Sequence, residues 1–458
     1  MIKQTFGLFG RSHPPAISTI FRSIVNNKSD HKLLRKYTNV LYYSLSCTNF
    51  TGKSSHAIDN VSSEVSSEPA NCHDDLKTKP RKKKSRKTKI QEYFSSEKHL
   101  ESIFSAFPPE FSNHKKNLFH LYIVEDRVAG EIAASLRKYV PVSYDHIIEI
   151  NPGPGVLTKK LLDYKYRLKL FEANEWFIPH LQKLQSKNSN IVDVINKDFP
   201  RMDRLSISDY HDGGKKMLNF LKNFEKKPWE ADTRIVVLAV PNYRFVSTLV
   251  LDCYKRVGFP SRGRPELYCS IRPSLFRKFS ATPFKDKPLY RSMSVLFQTA
   301  FDYEILNVLP REGFLPWSTA AKPSKKNSLL QKELKEEDNH MLFLVQITGK
   351  KNLYSKFDSQ ESLDLFVKFV RQFLKFINVP VIPILEKWYP NCGPKLIANG
   401  IGVFTHFADL TPGEVYTLFT ICKRFPGFET SPFFTDTISY NFDEPSVTKE
   451  KKPLDRNE

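Results

Sequence analysis

Glu149-Ile150-Asn151-Pro152-Gly153-Pro154-Gly155 is the stretch whose residue types and spacing could do chemistry. An apolar run beginning at Ile147 ends beside an acid and enters a Gly-Pro-Gly turn, and Val156-Leu157-Thr158 then has the composition to open a helix. Strand, glycine turn and helix in that order mark places where backbone passes close to a nucleotide-type ligand. Gly153 and Gly155 remove the side chains that would block the approach, while Pro152 and Pro154 restrict the conformations the turn must give up on folding. Taken alone, the turn fits an ordinary strand–helix connection equally well, so the reading depends on the residue types found at the expected distances beyond it.

Three further stretches lie at such distances. Leu168, Leu170 and Phe171 form a short strand ending at Glu172, about twenty residues beyond the turn, where a carboxylate can accept both hydroxyls of a ribose. A strand end facing solvent would carry the same residue. A third strand, around Ile191 to Ile195, leads to Asp198-Phe199: an acid that can accept from an adenine amino group and a ring that can lie on the base. The fourth, Ile235 to Val240, is apolar on both faces and so belongs at the centre of a parallel sheet. Three strand ends then point into one crevice of an α/β fold.

These residues resemble the ribosomal RNA adenine dimethyltransferases, and within them the mitochondrial transcription factor B group, over about Phe119 to Phe434. Leu121-Tyr122-Ile123-Val124-Glu125 and Gly313-Phe314-Leu315-Pro316-Trp317 extend the likeness on either side of the glycine turn. The resemblance implies a Rossmann-like S-adenosylmethionine-dependent methyltransferase domain followed by a smaller, mainly helical C-terminal domain. It places the cofactor on Ile123, Glu149, Asn151, Gly153, Gly155, Glu172 (ribose) and Asp198 (adenine). It also implies mitochondrial RNA polymerase and promoter DNA as partners, or small-subunit ribosomal RNA as substrate, and a place in the matrix nucleoid.

Two departures from the family pattern shape the expectation. Asn151 stands where the family usually has the first glycine, which puts a side chain at the methionine end of the cofactor and predicts weakened binding. Ala239-Val240-Pro241-Asn242 stands where the family has Asn-Leu-Pro followed by Tyr or Phe, with Tyr243 one place late. Methylating an adenine N6 requires the base out of the stack, its amino group oriented by acceptors and an aromatic face beneath it. Ala239 supplies no acceptor, although the Pro241 carbonyl remains and Tyr243 or Phe199 could stack. The first reading is therefore a mitochondrial transcription initiation factor with little or no methyl transfer, and the alternative a working dimethyltransferase of two adjacent adenosines.

The elements needed to position these residues are legible around them. Val124, Val128, Ile132 and Leu136 recur every four residues, as in a helix packed beside the first strand. Asp203 to Asp232 is polar and reads as a surface insertion; Leu267 to Phe276 reads as a strand and Met293 to Val308 as helix into strand. Met341 to Ile347 is expected to open the second domain, followed by an aromatic helix around Phe366 to Phe376 whose stripe reads as core. Further helices are expected from Pro394 and Pro412, the latter with Thr411 as N-cap and Glu414 in its first turn.

Composition sets the outer bounds. A chain of 458 residues with 40% hydrophobic content can bury a full core, and no apolar run is long enough for a membrane-spanning helix. Seventy basic against 49 acidic side chains give +21, which favours a polyanionic partner. Six cysteines without CxxC spacing argue against structural zinc or a disulfide framework. Residues 1–45 carry Lys3, Arg11, Arg22, Lys28, Lys32, Arg35 and Lys36 against Asp30 alone, the composition of a mitochondrial presequence. Residues 46–95 read as linker and include Lys77–Lys89, where nine of thirteen residues are Lys or Arg, either an arm for nucleic-acid phosphates or a solvated charge run. The expected division is completed by a methyltransferase-like domain over 96–310, the helical domain over 311–442 and a polar tail over 443–458, in a monomer.

Overall fold

The apolar runs read from the sequence become the strands of one sheet. A computed structural model describes residues 120–142, 146–232, 234–316, 328–375, 377–431 and 433–434, all within a compact unit, Ile103–Glu458. The residues read as a presequence (1–45), as a linker with the Lys77–Lys89 run (46–95) and as a tail (443–458), together with Trp317 and Phe376, lie outside the described residues.

In chain order the main elements begin with β1 (Tyr122–Ile123), α1 (Asp126–Tyr139), β2 (Ile147–Ile150), α2 (Val156–Asp163), β3 (Leu168–Phe171), α3 (Ile178–Lys187) and β4 (Val192–Ile195). They continue with α4 (Asp203–Asp212), α5 (Lys216–Leu221), β5 (Ile235–Ala239), α6 (Tyr243–Lys255), β6 (Pro265–Ile271), α7 (Pro273–Ser280), α8 (Ser292–Ala300) and β7 (Phe301–Pro310). After β8 (Phe314–Leu315) come α9 (Leu329–His340), β9 (Met341–Gly349), α10 (Gln360–Phe373), α11 (Val381–Glu386), α12 (Gly393–Ala398) and α13 (Pro412–Lys423).

The seven-stranded sheet has the order β4-β3-β2-β5-β6-β9-β7. Strands β2 to β6 run parallel, and β9 enters antiparallel between β6 and β7. Strand order reverses at β2, which has β3 on one side and β5 on the other, so a crevice opens beyond the carboxyl ends of β2 and β5. The glycine turn leaves β2 there, and Ala239 ends β5 there.

Three expectations change. The strand read over Leu267–Phe276 ends at Ile271, where Pro273 opens α7 and carries Phe276 into a helix. Met341–Ile347 does not open a separate domain: β9 spans Met341–Gly349 and pairs with both β6 and β7 in the main sheet. Its run of five buried residues from Met341 to Val345 is what a strand covered on both faces requires. Nor is 203–232 a mere surface insertion. It forms α4 and α5 and buries Phe220, Phe224 and Trp229, the Trp229 indole donating to the Lys350 carbonyl at 3.0 Å. Its polar average concealed aromatic residues worth roughly 1.5–3 kcal/mol each when fully buried.

The helices follow their local signals. Val128, Ile132 and Leu136 form the buried stripe of α1. In α10, Phe366, Phe369 and Phe373 are all fully buried, so the aromatic stripe is core, and Phe366 meets Tyr254 of α6 at 6.3 Å between centroids. Thr411 and Glu414 close a reciprocal capping box at the start of α13, and Pro394 lies in the first turn of α12.

Candidate cofactor and catalytic site

The turn after β2 is held in backbone conformations that only certain residues tolerate. Asn151, Gly153 and Gly155 all have positive φ, at 53°, 57° and 73°. Asparagine is among the few side chains that accept that region readily, which is why a residue other than glycine survives at 151. Gly153 has no such latitude, since a Cβ there would lie 2.3 Å from Tyr122 Cδ1. Gly155 caps α2, with Leu184 and Leu181 at 3.0 and 3.2 Å from where its Cβ would be.

Glu172 ties the end of β3 to this turn. Its side chain is 1% exposed; one carboxylate oxygen accepts the Gly153 N–H at 3.0 Å and the other the Asn174 N–H at 2.8 Å. Burial pushes its pKa up to about 7, against the pull of those backbone donors. Glu149 is likewise buried, accepts the Thr158 hydroxyl at 2.8 Å, and is pushed up to about 8 chiefly by burial. The ring of Tyr122 packs on Phe177 at 4.9 Å between centroids, and burial together with nearby Glu172 drives its phenol well above the ordinary value.

Asp198 follows β4 and caps a short turn. Its Oδ2 lies 3.6 Å from Arg201 Nε, while Oδ1 is buried and accepts no hydrogen bond among the described residues. A buried acceptor without a donor is costly in the protein alone and fits a ligand amino group.

Ile123 is positioned by pairing between the two outlying motifs. β1 and β8 are antiparallel, with Tyr122 opposite Leu315 and Ile123 opposite Phe314, and the Val124 N–H donates to the Gly313 carbonyl at 2.9 Å. Gly313 is required because a Cβ would approach Val128 Cγ2 to 2.7 Å.

One participant had no signal in the sequence. His120 Nδ1 lies 3.0 Å from the Asn151 amide nitrogen, joining residues 31 apart. Burial lowers the imidazole pKa, which favours the neutral ring, and Nδ1 then accepts from the Asn151 amide. The side chain that departs from the family pattern therefore has a partner of its own.

The loop after β5 is built differently. Ala239 ends the strand, 8% exposed and opposite Cys269 of β6, with no polar side-chain atom to offer. Asn242 caps α6, its Oδ1 accepting the Phe245 N–H at 2.9 Å, so the only asparagine of the degenerate motif is committed to the helix. Tyr243 is 49% exposed, stacks on Phe279 at 5.5 Å, and has Lys278 Nζ 5.9 Å from its ring centre. Phe199 is not a stacking residue: it is fully buried, with Phe171, Phe220, Phe224, Phe245 and Phe259 at 5.1–6.2 Å between centroids. Neither face of its ring is left for a base.

Parallel strands reversing at β2, a glycine turn at that reversal and acids at the next two strand ends define a methyltransferase-type α/β fold. The family model described as "Ribosomal RNA adenine dimethylase" matches residues 83–423, and the chain belongs to that family. Among its relatives, dimethyladenosine transferase 2, mitochondrial, of Drosophila melanogaster is 28% identical over 383 residues, 74% of this chain and 84% of that one. The Homo sapiens protein of the same name is 27% identical over 328 residues, 69% of this chain and 81% of that one. Ribosomal RNA small subunit methyltransferase A of Cytophaga hutchinsonii is 26% identical over 203 residues, 44% of this chain and 66% of that one.

Proposed function

We propose that this chain is a mitochondrial transcription initiation factor on an rRNA adenine dimethyltransferase fold, holding promoter DNA for mitochondrial RNA polymerase with little or no methyl transfer. The observation that carries the reading is Ala239. At the carboxyl end of β5 the residue the family uses to orient the target amine has been replaced by a methyl group, and nearby Asn242 is spent on a helix cap. Losing one oriented hydrogen bond in a transition state costs roughly a hundredfold to a thousandfold in rate. Nucleic-acid binding carries no such dependence, because many phosphate contacts share it. The charge of +21 and the mitochondrial names of the fly and human relatives support a matrix nucleoid location.

The residues fit S-adenosylmethionine on the adenosine side, where Asp198 Oδ1 lacks a donor among the described residues and Glu172 closes the strand end near Tyr122. When bound, that cofactor supplies an electrophilic methyl group. On the methionine side Asn151, hydrogen bonded to His120, weakens the fit. The retained acids favour a second reading, a dimethyltransferase of adjacent adenosines in mitochondrial small-subunit rRNA.

One preparation tests both: methyl transfer to the rRNA hairpin and promoter-dependent transcription, each for wild type and Glu172→Gln. We expect transcription without hairpin methylation, and transcription unchanged in the variant. Hairpin methylation at an ordinary enzymatic rate, lost in the variant together with transcription, would establish the second reading instead.

A further inference from the structure

The helical segment after α11 leaves large apolar side chains in solvent. Ile397 near the end of α12 is 51% exposed, and Val403 and Phe404 in the turn beyond it are 56% and 85% exposed. No charge is interleaved with them, since from Leu396 to Asp409 the chain has no Lys or Arg and Asp409 is its only acid. Short-range backbone bonds hold the three in place: the Gly400 N–H donates to Ile397 O at 2.9 Å, the Ile401 N–H to Leu396 O at 3.0 Å and the Thr405 N–H to Gly402 O at 3.0 Å. The far end of the turn is fixed to the start of α11, where the Val381 N–H donates to Thr405 O at 2.8 Å and Pro380 bridges to His406. An apolar surface held this rigidly loses little entropy when something covers it.

The residues that follow Phe434 have the complementary composition. Thr435 to Phe442 reads Thr-Asp-Thr-Ile-Ser-Tyr-Asn-Phe, with Asp436 its only charge. Ile438, Tyr440 and Phe442 alternate with Thr437, Ser439 and Asn441, so an extended chain there would present three apolar side chains on one face and three polar ones on the other. Phe434 also stands close to the patch. Its ring lies 5.7 Å from that of Phe428, which in turn stacks on Tyr389 at 5.9 Å, and the Tyr389 carbonyl accepts the Cys392 N–H at 3.2 Å at the entrance to α12. From Cys392 to Ile397 the helix rises only about 7 Å. Eight extended residues span about 27 Å, enough to carry the chain from Phe434 across Ile397 to the turn.

We propose that Thr437–Phe442 of this same chain docks on Ile397, Val403 and Phe404, its alternate apolar side chains covering the three exposed ones. A segment tethered at Phe434 meets the patch at an effective concentration in the millimolar range, so a small contact area suffices. An untethered occupant has no such advantage. Three side chains fall well short of the roughly 1,200 Å² of total buried surface that a second copy or a separate protein needs for a stable interface. A patch without cations likewise offers nothing to the phosphates of a nucleic acid.

The test uses the full chain in hydroxyl-radical footprinting read by mass spectrometry, where the oxidation rate of a side chain reports its exposure. Replacing Ile438, Tyr440 and Phe442 together by serine should raise Phe404 oxidation by about tenfold, the change expected when roughly nine molecules in ten have the segment docked. Val403→Ser combined with Phe404→Ser should raise Tyr440 oxidation in the same way. Leu329, 83% exposed at the start of α9, should stay constant throughout, and circular dichroism checks that each variant is folded. A second measurement leaves most of the contact in place. The four cysteines of the described residues are buried, so in a chain with Cys47→Ser and Cys72→Ser the pair Val403→Cys and Tyr440→Cys should form a disulfide within one molecule, and Val403→Cys with Glu450→Cys far more slowly. Phe404 oxidised as fast in wild type as in the serine variant would overturn the proposal. So would disulfides formed only between molecules, which would give the patch to a second copy, or equal rates for the two cysteine pairs.

Discussion

The carboxyl ends of β2, β3 and β4 and the carboxyl end of β5 face one crevice, yet the sequence has treated them differently. On the first side every polar group has a defined place: Glu172 bridges two backbone donors, Glu149 takes the Thr158 hydroxyl, and Asp198 leaves one buried oxygen for a ligand. On the second side Ala239 ends the strand without a polar side-chain atom, and Asn242 caps α6. The first set is bound up with the fold, because Glu172 ties the glycine turn to the end of β3. Chemistry can be lost from a fold residue by residue wherever the catalytic group is not also a structural one.

The largest expected effect comes from repairing the second side. Ala239→Asn restores an amide at the end of β5, and hairpin methylation should rise by about a hundredfold, toward the value of one oriented transition-state hydrogen bond. Transfer of radiolabelled methyl to the rRNA hairpin measures it, with promoter-dependent transcription followed in parallel and expected to stay constant. No gain, despite retained folding and cofactor binding, would mean that the one-residue displacement of Tyr243 also has to be reversed.

The next prediction asks whether the acids on the first side belong to the fold. Glu149 titrates near 4.3 in an unfolded chain and at about 8 when folded, raised chiefly by burial. The folded state therefore holds its proton more tightly. The stability this contributes is complete below about pH 4 and is lost as pH rises through 8. Each unit of difference is worth about 1.4 kcal/mol, so the loss between pH 5 and pH 9 should reach a few kcal/mol. Glu149→Gln cannot ionise. Its thermal midpoint should fall less over that range than that of wild type, and parallel melting curves would show that Glu149 is not the buried acid inferred from the fold.

Much of the first side was legible in advance because its signals are local. A glycine turn after an apolar run, an acid at the end of the next strand, and Thr411-Pro412-Gly413-Glu414 ahead of α13 need no knowledge of distant contacts. Three features could not be read that way. His120 meets Asn151 only because β1 and β8 pair and bring the preceding residue over the turn. Phe199 looked available for stacking because two of its partners, Phe220 and Phe224, come from a stretch whose lysines dominated its composition. β9 was assigned to a second domain because an apolar run does not say which sheet it joins, and its neighbours β6 and β7 are fixed by long-range pairing. The Lys77–Lys89 run is as strong a sequence signal as any of these and lies outside the described residues.

The smallest predicted effect bears on whether the first side is fully kept or partly impaired. Asn151 has φ of 53° and lends its amide to His120, so Asn151→Gly removes one hydrogen bond while leaving a backbone that glycine adopts without strain. Lost contact and added chain freedom together should cost about 1 kcal/mol of stability at most. If the amide obstructs the methionine end of the cofactor, its removal should tighten S-adenosylmethionine by about three- to tenfold, read by calorimetric titration at fixed pH. His120→Phe separates two causes. It deletes the partner but keeps Asn151, and should leave affinity near wild type if the amide itself is the obstacle. Tightening in both variants would assign the effect to the locked pair instead of to the side chain alone. Weaker binding in Asn151→Gly would make Asn151 part of the binding surface. The contrast would then be sharper, with Asn151 joining the binding residues on one side of the crevice while Ala239 on the other offers no acceptor.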